Sequence, residues 1–160
     1  MTIQVGDKLP SATFMTMTAD GPAPVSSDQL FAGKTVALFA VPGAFTPTCS
    51  AKHLPGFVSN AAALKGKGVD TVACVAVNDV FVMGAWGKDQ GVGEDVVMLA
   101  DGSAAFVKAM GLEFDLTARG LGIRSQRFAL VAKDGVVTHL GIEAPGAFEV
   151  SNAESILAAV

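Results

Sequence analysis

The chain has 160 residues, of which 51% are hydrophobic and 16% charged, with a formal net charge of −4. That length suits one domain with its own core, and the hydrophobicity excludes a disordered chain. The longest apolar runs, residues 36–41 and 72–77, are far shorter than the roughly 18–20 residues of a membrane-spanning helix, and no Lys/Arg cluster beyond residues 119–127 offers a nucleic-acid footprint.

Residues 12–18 alternate in polarity, which predicts a half-buried strand. Asp20-Gly21-Pro22 marks a turn. Ser26, Ser27, Asp28 and Gln29 carry helix-capping chemistry ahead of Leu30-Phe31, and Gly33 ends that short helix. Residues 36–41 are apolar throughout and predict a strand buried on both faces. Residues 42–47 (PGAFTP) break it. A helix is expected from about Cys49 to Lys65, irregular at Pro55 and stopped by Gly66 and Gly68. Residues 72–77 predict a second buried strand. Asn78-Asp79 can cap a helix reaching about Lys88. Residues 96–99 predict a third strand, and Ser103 starts a helix to Met110. Residues 128–132 and 136–140 predict strands joined at Lys133-Asp134-Gly135, a hairpin signal. A last helix runs from Ser151 to Val160, capped by Ser151 or Asn152.

Strand–helix alternation followed by a hairpin predicts an α/β fold. The expected architecture is a central mixed, mostly parallel sheet flanked by helices, with an N-terminal β extension. It resembles the thioredoxin-like layout. Chemistry in such sheets sits at the carboxyl ends of the strands, here between Val41 and Cys49.

Cys49 is the leading candidate. It stands at a predicted helix start, where free N–H groups and the positive dipole end favour a thiolate. The competing reading is a small buried hydrophobe, and the Pro-, Gly- and Thr-rich loop argues against it. His53, four residues on, has three readings: general base, part of a metal site, or a polar residue at the pocket rim. A zinc site needs more ligands than the sequence clusters, so the rim reading is favoured. Cys74 lies mid-strand and reads as core filling. Arg124 and Arg127 precede an apolar strand, and one of them can reach a partly buried anion such as a thiolate.

Pro42-Gly43-Ala44-Phe45-Thr46-Pro47-Thr48-Cys49-Ser50 closely resembles the P-x-x-x-T-x-x-C motif of peroxiredoxins. With Lys52-His53-Leu54-Pro55-Gly56-Phe57, Asn78-Asp79-Val80-Phe81 and Arg127-Phe128-Ala129-Leu130, it is similar to the type II, peroxiredoxin-5-like group. The similarity covers nearly the whole chain, so residues 1–160 are expected to form a single thioredoxin-like peroxiredoxin domain. The resemblance implies a peroxidatic Cys49 whose thiolate attacks peroxide and becomes sulfenic acid. Thr46 would orient the peroxide, Arg127 would bond the thiolate and substrate oxygens, and Pro42 would exclude water. The backbone N–H groups of Thr48 and Cys49 would stabilise developing charge. No metal or other cofactor is implied.

Animal members of that group carry a resolving cysteine near the C-terminus, where this chain has Glu149-Val150-Ser151-Asn152. Plant and bacterial relatives resemble it better, with Cys74 as a possible second redox cysteine. Cys74 is expected about three residues back from the carboxyl end of its strand. An external thiol is therefore expected to reduce Cys49: glutathione with glutaredoxin, or thioredoxin. Peroxide is the expected substrate, and a homodimer is expected from the nearly all-apolar helix after Asp79. The start of the chain shows no signal peptide, and two cysteines make no disulfide scaffold, so the expected compartment is the cytoplasm. The alternative function is a single-cysteine thiol–disulfide carrier of the thioredoxin/glutaredoxin class, although Cys49-Ser50-Ala51-Lys52 lacks the second cysteine of C-x-x-C. A non-catalytic interaction module ranks below both.

Overall fold

The computed structural model describes residues 1–160. In chain order its strands are β1 (Thr13–Thr18), β2 (Gly21–Ser26), β3 (Thr35–Ala40), β4 (Thr71–Ala76), β5 (Val97–Ala100), β6 (Glu113–Asp115), β7 (Ile123–Ser125), β8 (Phe128–Lys133) and β9 (Val136–Ile142). Its α-helices are α1 (Ser27–Phe31), α2 (Leu54–Gly66), α3 (Val80–Asp89), α4 (Ala105–Ala109) and α5 (Ala153–Leu157). A π-helical segment, Cys49–His53, runs directly into α2.

Seven strands form the main sheet in the order β2-β1-β5-β4-β3-β8-β9. The apolar runs fill its centre because β3, β4 and β8 are covered on both faces. Along them, alternate residues serve two cores. Ala37, Phe39, Cys74, Ala76, Ala129 and Val131 face the side that holds Cys49, Leu54, Phe57 and Trp86. Val36, Leu38, Ala73, Val75 and Leu130 face the other side, with Phe31, Phe106 and Met110.

The sheet is mixed, as expected, but not mostly parallel. Only β3–β4 and β4–β5 are parallel; the other four neighbour pairs are antiparallel. Two hairpins cause this. The N-terminal β1–β2 hairpin adds to the β5 edge, and β8–β9 adds to β3. In the second, Asp134 and Gly135 take φ values of 50° and 76°, the left-handed pair that a tight hairpin turn requires.

Four local differences have plain causes. β2 was not expected, because Pro22 and Pro24 argue against a strand; it is an edge strand, where a missing donor costs no ladder bond. The small β6–β7 sheet was not expected either, since three-residue strands leave no periodicity to read. The fourth helix starts at Ala105, not Ser103, and the Asp101 carboxylate accepts from the Phe106 and Val107 N–H groups. The last helix is shorter than expected, and Asn152 is its cap.

Candidate active site

The site lies beyond the carboxyl end of β3. Ser50 is the first residue of the new helix whose N–H bonds backward, to Thr46 O at 2.9 Å. The N–H groups of Thr48 and Cys49 donate to no protein acceptor. Two unpaired donors therefore stand at this helix start, beside the Cys49 sulfur. The helix expected from Cys49 onward opens as a π turn, in which Leu54 N–H donates to Cys49 O. Pro55, at the first turn of α2, has no N–H to give, so the change from π to α spacing falls where a donor is already missing.

The preceding loop is held from several sides. Ala44 N–H donates to Asn78 Oδ1 at 2.9 Å, which ties it to the loop after β4. Arg124 donates to Pro42 O at 3.3 Å and to Leu121 O at 2.9 Å, stapling it to the β6–β7 region. A Cβ on Gly43 would stand 2.9 Å from Arg124 Nη1 and 3.2 Å from Thr46 Cγ2, so a side chain here would push the Arg124 tip from its present place. Phe45 takes φ 64°, which is unusual for a bulky residue and sets the sharp turn before Thr46.

Cys49 is fully buried. Its Sγ lies 2.9 Å from Thr46 Oγ1 and 3.1 Å from Arg127 Nη2. Thr46 Oγ1 is also 2.7 Å from Gly43 O. One hydroxyl proton thus has two acceptors and can turn between them. Arg127 uses its other terminal nitrogen, Nη1, on His53 Nδ1 at 2.8 Å. Guanidinium only donates, so Nδ1 accepts, and Nε2 carries the ring proton and donates to Ser151 O at 2.8 Å.

His53 is therefore not at the rim. It is fully buried, packed by Phe39, Phe57 and Phe148. Burial, and then the Arg127 cation, push its pKa down to about 3, against smaller raising effects of the Ser151 carbonyl and Glu143. It stays neutral and holds Arg127 as an acceptor.

The structure brings Pro42, Thr46, Thr48 and Arg127 together on one wall of a cavity of about 450 Å³, with Phe114 and Leu116 among its apolar lining. Arg124 stays outside that sulfur contact. Cys74 lies on the same sheet face as Cys49, two residues from the end of β4 rather than three. Both thiols are free. Burial pushes the Cys74 thiol well up, the neighbouring Cys49 adds to this, and Arg127 only partly offsets it. No group of three or more His, Cys, Asp or Glu side chains is placed to hold a metal ion.

A cysteine gripped by a threonine hydroxyl and a guanidinium, at a helix start, is a peroxide-reducing arrangement, and the comparisons agree. Residues 4–157 match the Redoxin family. The chain is 51% identical over 162 residues to chloroplastic Peroxiredoxin-2E of Arabidopsis thaliana, covering 99% of this chain and 69% of that one. It is 49% identical over 159 residues to Peroxiredoxin-2B of the same plant, covering 99% and 98%. The chain belongs to the peroxiredoxins. The fold of this peroxiredoxin superposes on reduced Prx3 of Vibrio vulnificus, solved in complex with hydrogen peroxide, with a TM-score of 0.95, 56% identity and 99% of each chain covered. The α/β thioredoxin-like architecture follows with the family, and so does thiol-dependent peroxidase activity, in which a peroxide is reduced at the expense of a thiol.

Glu143 and Phe148 escaped the sequence in this peroxiredoxin's site, and His53 was noticed there only as a rim residue. His53 Nδ1 accepts from the Arg127 guanidinium, Glu143 meets Arg127 only through its backbone N–H on Arg127 O, and the Phe148 ring lies 5.9 Å from the guanidinium carbon. The His at four residues from the cysteine was the only available signal, and spacing alone does not say where the ring turns.

Proposed function

We propose that this peroxiredoxin reduces hydrogen peroxide and alkyl hydroperoxides at Cys49 and is recycled by external thiols. The observation that carries this is the pair of donors on one sulfur, Thr46 and Arg127. The Cys49 thiolate attacks the terminal peroxide oxygen. An S–O bond forms, the O–O bond breaks, and the leaving oxygen takes a proton to depart as water or alcohol. Sulfur is oxidised by two electrons and the peroxide is reduced by the same two. Arg127 and the free N–H groups of Thr48 and Cys49 meet the negative charge that grows on the parting oxygens. Thr46 accepts the hydroperoxide O–H and fixes its direction. Pro42 covers the sulfur from water. The relative from Vibrio vulnificus, with hydrogen peroxide in its crystal, supports the first substrate. The cavity supports the second, because about 450 Å³ far exceeds the roughly 30 Å³ share of a water-sized guest.

Resolution takes two thiols. The first displaces water from the sulfenic acid and forms a mixed disulfide; the second releases Cys49 thiol and a disulfide. Glutathione with glutaredoxin, or thioredoxin, suits this role in a reducing cytoplasm. Cys74 is a poor internal alternative. It is about 7 Å down the strand, fully buried, and kept as the un-ionised thiol, which is not the attacking form.

Peroxide consumption and intact mass test both halves together. Cys49→Ser should lose peroxide reduction, and Cys74→Ser should keep the first oxidation. Without added thiol, the chain should gain one oxygen, then a second in excess peroxide as sulfinic acid forms. Retained activity in Cys49→Ser would end the assignment. A loss of two hydrogens within one chain, absent in Cys74→Ser, would show that Cys74 resolves Cys49.

A further inference from the structure

The turn at residues 149–151 has no chemistry of its own, yet it is joined to Arg127 through the His53 ring. The Glu143 carboxylate accepts from four donors on it. Glu149 N–H is at 2.8 Å, Val150 N–H at 2.9 Å, Ser151 N–H at 2.8 Å and Ser151 Oγ at 2.6 Å. Glu143 and Ser151 are both buried. The turn is pressed from the other side as well: a Cβ on Gly141 would overlap the Val150 carbonyl. A buried carboxylate with every donor on one turn, and a glycine that admits its backbone, leave that turn a single place to sit.

From there the links run inward. Ser151 O accepts from His53 Nε2, His53 Nδ1 accepts from Arg127 Nη1, and Arg127 Nη2 donates to Cys49 Sγ. Phe148, just before the turn, packs on the His53 ring with centroids 5.0 Å apart. We propose that Glu143 is a positioning residue for Cys49: its carboxylate fixes the 149–151 turn, and the turn aims Arg127 through His53. This rests on the peroxidase reading of Cys49 and adds a residue that makes no contact with the sulfur and whose carboxylate, at the edge of the same cavity, is turned to the 149–151 donors. The chemistry demands a carboxylate. Four donors converge there, and an amide would turn its own N–H₂ toward some of them. A guanidinium misplaced by a fraction of an ångström loses alignment with the breaking O–O bond, and such errors cost far more in rate than in stability.

The test is a double-mutant cycle. Glu143→Gln and Gly141→Ala disturb the turn from its two sides. His53→Phe cuts the link to Arg127, and His53→Gln keeps it, since an amide can both accept from Arg127 and donate to Ser151 O. The rate of the hydrogen peroxide step is read by stopped-flow fluorescence of Trp86, the single tryptophan, whose Nε1 donates to Ser50 Oγ beside Cys49. Thiolate absorbance at neutral pH reads the Cys49 ionised fraction. Glu143→Gln and Gly141→Ala should each slow the peroxide step about tenfold and lower the thiolate fraction, alone or with His53→Gln. In the His53→Phe background they should change the rate less than twofold. Full rates in Glu143→Gln and Gly141→Ala, with only a lower melting temperature, would make Glu143 merely structural. So would the same tenfold losses persisting beside His53→Phe. A failure of the unsubstituted protein to consume peroxide would instead overturn the peroxidase reading, and the thiolate readings would still decide the role of Glu143.

Discussion

Arg127 has two tasks, one for each terminal nitrogen, and that decides what can replace it. Nη2 serves the Cys49 sulfur and Nη1 is fixed by His53. Lysine carries the charge but only at one point, so it cannot hold both partners in one plane. Arg127→Lys and Arg127→Ala should therefore both slow the single-turnover peroxide step by about 10²–10³-fold, the range seen when one preorganised donor is removed. Thr46→Val, which keeps the shape but not the hydroxyl, should fall in the same range. Stopped-flow rates with hydrogen peroxide measure this; an Arg127→Lys protein within twofold of the unsubstituted rate would reduce Arg127 to a bare charge. Cys49 was legible from its place at a helix start, and Thr46 and Pro42 through the resemblance carried by the short loop they share with it. Arg127 was legible only by its place before an apolar strand and by resemblance. Its support was not, because His53 is 74 positions away and Ser151 a further 24, so no local pattern links them.

At the scale of elements, the sequence spoke most clearly where burial is two-sided. β3, β4 and β8 lie under helices on both faces and read as unbroken apolar runs. Strand direction was less legible, because alternation of strands and helices says nothing about hairpins that add at the sheet edges. The link between the π segment and the C-terminal turn was invisible, and it has a thermodynamic signature. Burial and the Arg127 cation hold the His53 pKa down at about 3 in the folded chain, against the ordinary 6.5 of a free imidazole. Between those values the unfolded chain binds a proton that the folded chain refuses. The His53 contribution is thus complete above about pH 6.5 and is lost as pH falls toward 3. From pH 7 to pH 5 the loss should be about 2 kcal/mol. That window lies above the Glu143 titration: burial raises the Glu143 carboxyl, but its Ser151 and backbone hydrogen bonds hold it below the usual 4.5. His53→Gln keeps the geometry and cannot titrate. Urea unfolding at pH 7 and pH 5 should show the unsubstituted protein losing about 2 kcal/mol more than His53→Gln. Equal losses in the two proteins would place the His53 proton elsewhere.

On the scale of the whole molecule, one apolar surface is left without a partner inside the chain. α3 buries Met83 and Trp86 against the sheet and turns Phe81 and Ala85 outward, one helical turn apart. Phe81 is 66% exposed and Phe45 is 52% exposed. The Phe45 ring lies 6.5 Å from that of Trp86, on the helix that also carries Phe81. Isolated exposed apolar residues are ordinary. Here one of them is held outward by a left-handed backbone that costs on the order of 1–3 kcal/mol, in the loop that also carries Thr46. A second copy of the chain meeting this surface would bury both rings and brace that loop, which joins assembly to the geometry at Cys49. The unsubstituted protein should therefore sediment at micromolar concentration as a species of twice 16.2 kDa. Phe81→Glu places a charge at the centre of the contact and should shift it to the single-chain mass, since an unpaired buried charge is far costlier than the apolar contact it replaces. A single-chain mass for the unsubstituted protein at high concentration would rule the dimer out. A dimer that survives Phe81→Glu unweakened would move the interface to another face.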